Sequence, residues 1–156
     1  MGKLSEKELV LFVAEFAWAV EKINSDLLDY EVLLRYGNSI IYLPDVMLEG
    51  TLKEIEKKVE DIDALKKWGL INEPDDGSSL SDYYDDEDCE GYLVCYGDLY
   101  DKMYGYEAYG KDIYGDGDEA KQLYNALEDI TDKHGLWYEW CSGGILLYAK
   151  TNKGGL

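Results

Sequence analysis

The side chains that most often carry chemistry are few and scattered in this sequence. His134 is the sole histidine, in the last turn of a predicted helix just before Gly135. There an imidazole bonds the free terminal carbonyls and complements the helix dipole, so a capping role is preferred to that of a general base. Cys89, Cys95 and Cys141 are odd in number and widely spaced. They lack the close pairing of a zinc site and fit reduced thiols in a cytoplasm. Cys95 and Cys141 fall in apolar strand patterns and read as core residues. Asp112-Ile113-Tyr114-Gly115-Asp116-Gly117-Asp118 is similar to part of a calcium loop. Counting from Asp112, Asp116 and Gly117 take the fifth and sixth positions, but Tyr114 occupies the third. Leu123 stands at the twelfth, where a bidentate carboxylate is needed. A turn leading into a helix N-cap is the better reading. Ser142-Gly143-Gly144 reads as a hairpin turn, and Gly115-Asp116-Gly117-Asp118 would repel a phosphate. Acids are so abundant that a paired-carboxylate hydrolase signal has no specificity. The expectation is therefore no catalytic residue, no cofactor and no metal, and a chain that is not an enzyme.

What the chain has in excess is carboxylate. Its 156 residues hold 34 acidic and 15 basic side chains, a formal net charge of −19. Between Glu73 and Glu119 stand 16 acids and two bases, Lys102 and Lys111, a net of −14. A block of one sign steers oppositely charged partners. The same stretch holds nine tyrosines, whereas a solvated acidic tail is poor in aromatics. Tyrosine joins a rigid apolar face to a polar tip, a combination enriched at recognition surfaces. The candidate partner-binding residues are Asp82, Tyr83, Tyr84, Asp85, Asp86, Glu87, Asp88, Glu90, Asp98, Asp101, Tyr104, Tyr106, Glu107, Asp112, Asp116 and Asp118. With Arg35 as the one arginine beside 14 lysines, direct binding to a nucleic-acid backbone is not expected. No run of about 18 apolar residues or signal-peptide layout is present, so no membrane partner is expected and the cytoplasm is the expected location.

The acidic, tyrosine-bearing run Asp82-Tyr83-Tyr84-Asp85-Asp86-Glu87-Asp88, continued by Asp98, Asp101, Glu107, Asp112, Asp116 and Asp118, resembles the acidic faces of phage-encoded nucleic-acid mimics, the anti-CRISPR and antirestriction proteins. The resemblance covers about a quarter of the chain and rests on residue type. It implies a non-catalytic inhibitor in the bacterial host cytoplasm that occupies the basic groove of a nucleic-acid-handling protein, a host-defence nuclease or CRISPR effector. Duplex DNA carries one charge per ~1.7 Å of axis, so a groove built for it is complementary to any dense anionic surface. Carboxylates accept the bidentate arginine contacts that phosphates accept, and tyrosine rings stack on guanidinium groups. Two alternatives stand beside it: an immunity protein masking a basic toxin, and a metal-dependent or carboxylate enzyme with its site in the acidic loops.

These residues need a scaffold to position them. Ser5-Glu6-Lys7-Glu8 is a capping box with Leu4 and Leu9 as its staple. Leu9, Phe12, Val13, Phe16, Val20 and Ile23 then follow at helical spacing to about Asn24. Tyr30–Tyr36 and Ser39–Leu43 read as strands joined by the turn Gly37-Asn38, and Pro44 ends the pair. Thr51 opens a second capping box, and Leu52, Ile55, Val59, Ile62 and Leu65 predict one amphipathic helix to about Trp68, closed by Gly69. Asn72 to Glu90 reads as loop, Tyr92–Tyr96 as a short strand, and Asp98 to Met103 as a brief helix that later glycines break. Asp116 or Asp118 starts a helix ending at His134-Gly135, and a hairpin turning at Gly143-Gly144 closes the chain. The sum is one α+β domain over residues 1–156, an antiparallel sheet of about five strands with three to four helices on one face. Residues 73–119 form an insertion-like segment within it.

Overall fold

The computed structural model describes residues 4–30, 32–73, 88–95, 97–111 and 118–150. Helix α1 (Glu6–Asn24) starts where the sequence places it. Ser5 Oγ accepts the Glu8 backbone N–H, which satisfies one orphan donor of the first turn. Phe12, Phe16 and Val20 are wholly buried along one side of α1. Full burial of such side chains is worth about 1.5–3 kcal/mol each. A 3₁₀ turn (Ser25–Tyr30) sets Leu27 and Leu28 into the core before strand β1 (Leu33–Tyr36) begins. The turn at Gly37-Asn38, with Gly37 at φ 52°, returns the chain as β2 (Ser39–Tyr42). Positive φ at this position is what the two-residue hairpin requires.

The predicted single helix from Thr51 to Trp68 is two helices. The Thr51 capping box forms in full and starts α2 (Leu52–Val59). Asp61 then takes an extended backbone, and its carboxylate accepts the Ala64 N–H to start α3 (Ile62–Lys67). A short acid beside free backbone amides competes with the helical ladder. The apolar spacing continues across the break because Ile55, Val59 and Leu65 all reach the same core. Gly69, at φ 79°, closes α3. Ile71–Asn72, whose second residue opens the expected loop, forms β3 against β2.

Among the described residues the sheet has six antiparallel strands in the order β3-β2-β1-β4-β6-β5. Strand β4 (Cys89–Val94) begins earlier than expected and is buried along its whole length between β1 and β6. Cys89–Val94, within the stretch 73–119, thus supplies a strand between β1 and β6. Helix α4 (Asp98–Tyr109) also exceeds the sequence reading. It runs through buried Gly105 and ends at Gly110, which is left-handed at φ 71°. Leu99 and Met103 anchor it in the core, and that tertiary burial outweighs the roughly 1 kcal/mol penalty of a helical glycine. Helix α5 (Glu119–Lys133) leads into the hairpin β5 (Leu136–Cys141) and β6 (Gly144–Ala149).

The helices share one face of the sheet. Leu34, Ile41, Leu93, Ile145 and Leu147 point toward them and form the main core with α1, α4 and α5. The opposite face carries a smaller cluster around Tyr92, Val94 and Tyr148, with Trp137 stacked on Tyr148 at 4.4 Å. At its far end α5 docks on α1 through a buried carboxylate. Glu15 accepts Lys133 Nζ at 2.9 Å and lies 2.9 Å from His134 Nε2. Among the described residues, no helix is long and apolar enough to cross a membrane.

Candidate partner-binding face

Of the sixteen candidate contact residues, Asp82 to Glu87, Asp112 and Asp116 lie outside the described residues. The remaining eight do not share one surface. Asp88 is exposed in the turn before β4. Glu90 is buried at a β-bulge of β4, where its Oε1 accepts the Leu4 N–H at 2.9 Å. That carboxylate ties the start of the chain to the sheet and is removed from the contact face. A bulge re-aims side chains in this way.

Five candidates fall on α4, where helical spacing divides them. Asp98 and Asp101 stand three apart on its exposed flank. Tyr104 and Glu107 continue the ridge that begins at Tyr100 and faces β5. Tyr100 stacks on Tyr104 at 5.7 Å, and both meet the edge or face of Trp140, at 5.9 and 5.3 Å between ring centres. The Tyr100 hydroxyl also donates to the Cys141 carbonyl oxygen at 2.7 Å, which fastens α4 to the end of β5. Tyr104 is nevertheless 44 % exposed, so its ring is held by packing while still facing solvent. Tyr106 is half-buried, with its ring tilted against Tyr124 of α5 at 5.3 Å. Asp118 is exposed at the start of α5.

Sequence reasoning missed what α4 meets there. Glu107 of α4, the outer face of α5 and strand β5 line a groove of about 480 Å³. Tyr124, Glu128 and Asp132 lie four residues apart along α5 and form one wall. Tyr138 and Trp140, two apart on β5, form another and meet edge to face at 5.5 Å. Each phenol holds a carboxylate. Tyr124 Oη donates to Glu107 Oε2 at 2.9 Å, and Tyr138 Oη donates to Glu128 Oε2. Burial, reinforced by those acceptors, pushes Tyr124 up to about 12 and raises Tyr138 as well. Both phenols therefore keep their protons and keep donating at neutral pH. Lys150 pairs with Asp132 at one end of the groove. The signal that could have found this site is the i, i+4 run Tyr124–Glu128–Asp132 facing the alternating aromatics of Trp137-Tyr138-Glu139-Trp140.

The other chemistry-bearing residues have structural roles. His134 is the C-cap residue of α5, and its backbone N–H bonds the Ile130 carbonyl, but its ring reaches across to Glu15 and sits edge-on to Phe12 at 6.1 Å. Cys95 is buried, and burial pushes its thiol pKa far up, which makes it a poor nucleophile. The calcium-like loop from Asp112 to Gly117 lies outside the described residues. Among those described, no three His, Cys, Asp or Glu side chains converge as metal ligands.

Fold and site together define a class: a single α+β domain with helices on one face of an antiparallel sheet, and an acidic, aromatic flank where α4, α5 and β5 meet. No protein family, no curated protein and no solved structure matches this chain.

Proposed function

We propose that this protein is a non-catalytic inhibitor that binds a basic nucleic-acid-handling protein, a host-defence nuclease or CRISPR effector in a bacterial cytoplasm, through an acidic surface standing in for DNA. The observation that carries the reading is the concentration of charge: −14 of the net −19 falls between Glu73 and Glu119. Asp98 and Asp101 project from α4 within that stretch, beside the exposed rings of Tyr104 and Tyr109. Self-repulsion of this density works against a compact state, so its concentration in one stretch of sequence supports a use for the field. Dense negative charge accelerates encounter with a basic groove, and carboxylates substitute for phosphates in arginine contacts.

The test is capture from bacterial lysate on immobilised protein. It is run beside a variant in which Asp85, Asp86, Glu87, Asp88, Asp98 and Asp101 become Asn or Gln. The expected partner is a nucleic-acid-binding protein that duplex DNA displaces. It is lost from the variant and elutes as salt rises from ~0.05 to ~0.5 M, where the Debye length falls well below 10 Å. A partner held equally by both proteins, insensitive to DNA and salt, refutes the proposal. A toxin with no affinity for nucleic acid would replace inhibition with immunity.

A further inference from the structure

We infer that the groove between α4, α5 and β5 seats an arginine side chain of the partner, gripped by Glu107 and Glu128 and stacked against Tyr138 and Trp140. This rests on the proposed reading of an acidic protein that binds a basic partner. It moves the centre of binding toward α5 and β5, with Glu107 as the contribution of the acidic stretch.

Four features of the groove converge on a guanidinium group. Its carboxylates are oriented before any ligand arrives: a phenol occupies one acceptor site of Glu107 and another one of Glu128. A carboxylate offers about four acceptor sites, so each retains capacity for a donor. Its walls are aromatic and rigidly interlocked, with Trp140 in contact with Tyr100, Tyr104 and Tyr138. Its charge is unbalanced: Lys150 answers Asp132, while among the described residues no ion pair engages Glu107, Glu128 or the neighbouring Asp129. Its volume of about 480 Å³ lies in the range of ligand pockets.

The chemistry then separates arginine from other cations. A guanidinium is planar, gives five donors in a fork that matches carboxylates, and is weakly hydrated enough to stack on rings. Lysine offers a point charge with a tight hydration shell and no plane to stack. A calcium ion takes about six to eight oxygen ligands, whereas two oxygens here are already engaged by phenols. An aromatic anchor pocket with a buried arginine is the usual composition of an interface hot spot.

The experiment uses the full chain and three probes: a capped tri-arginine peptide, its tri-lysine counterpart and calcium chloride. Binding is read from the indole signals by NMR and from tryptophan fluorescence. Two single neutralisations remove equal charge: Glu128→Gln in the groove and Asp98→Asn on the outer flank of α4. Tri-arginine is expected to shift the Trp140 indole and to bind more tightly than tri-lysine, with calcium leaving that signal unmoved. Glu128→Gln is expected to weaken tri-arginine about tenfold and Asp98→Asn less than twofold, since only the first removes a direct charge-assisted bond. Tyr138→Phe, which releases Glu128 without changing charge, is expected to weaken it about threefold. Equal losses from Glu128→Gln and Asp98→Asn would overturn the groove and leave a diffuse acidic binder. Equal affinity for the two peptides, or a calcium response at Trp140, would overturn arginine as the occupant. Absence of binding by either peptide at low salt would defeat both this inference and the function it rests on.

Discussion

Replacing Gly144 with alanine tests how tightly the sheet that carries the groove is closed. Gly144 opens β6 opposite Val94 of β4 and Cys141 of β5. A β-carbon there would fall inside van der Waals contact of the Leu93 carbonyl oxygen. It would also lie 2.8 Å from Tyr92 Cε1 and 3.1 Å from the Leu93 carbonyl carbon. The obstructing atoms are mainly backbone of the central strand, so no rotamer change relieves them. The strands must part, which adds overpacking strain of about 1–3 kcal/mol and weakens at least one ladder hydrogen bond worth about 1 kcal/mol. The expected loss is about 3 kcal/mol. For a chain of this size that lowers Tm by ~6–12 °C. Gly135→Ala is the control. Its site has φ 71° and open space around a β-carbon, so only left-handed backbone strain of about 1 kcal/mol applies, or ~2–4 °C. Thermal unfolding followed by circular dichroism measures both, and tryptophan fluorescence reports whether Trp140 has moved with the hairpin. A Gly144→Ala protein that melts at or above the control would refute the close-contact account of β4 and β6.

Other perturbations follow from the same contacts. Glu15→Ala leaves His134 without its carboxylate at the buried α1–α5 junction. It is expected to cost about 2 kcal/mol, read by chemical denaturation, with Lys133 recovering water because its side chain is half exposed. Asp61→Ala removes the cap that starts α3 and is expected to lower stability by about 1 kcal/mol, with no change in the near-ultraviolet signal of the main core. Alkaline titration is expected to destabilise the fold. Tyr124 is pushed up to about 12, and Tyr36 and Tyr138 are raised as well, by burial and then by their Glu acceptors. The unfolded chain loses these protons near pH 10 while the folded chain retains them, so stability is intact below pH 10 and falls as pH climbs beyond it. Denaturant midpoints that stay flat from pH 9 to 12 would count against buried, acceptor-bound phenols.

Where structure is set by neighbours in sequence, the chain was legible. Ser5 and Thr51 cap their helices, Gly37-Asn38 turns the first hairpin, Gly69 closes its helix, and the apolar stripes of α1 and α5 face the core. Where packing decides, it was not. Strand β4 is buried on both faces and shows no alternation, and Cys89-Glu90-Gly91 looks like loop until the bulge and Leu4 account for Glu90. Gly105 ends a helix in isolation but not over a core that holds Leu99 and Met103. β3 has two residues and no periodicity to read. The acidic stretch was visible as composition. The groove was not, because Glu107, Glu128 and Tyr138 become neighbours only when α4, α5 and β5 meet.

Strand β4 also determines what happens while the chain is being made. The hairpins of β1–β2 and β5–β6 close locally, yet among the described residues the sheet joins them through residues 89–94. Leu33 must find Val94, and Leu93 must then find Ile145, partners 61 and 52 residues apart. Such long closures fold slowly. Until β6 emerges from the ribosome, the outer edge of β4 is an open template for the same edge of another nascent chain. A chain of net charge −19 repels its own copies during that interval. The carboxylates proposed to attract a basic partner would thus first serve the protein itself, holding unfinished sheets apart.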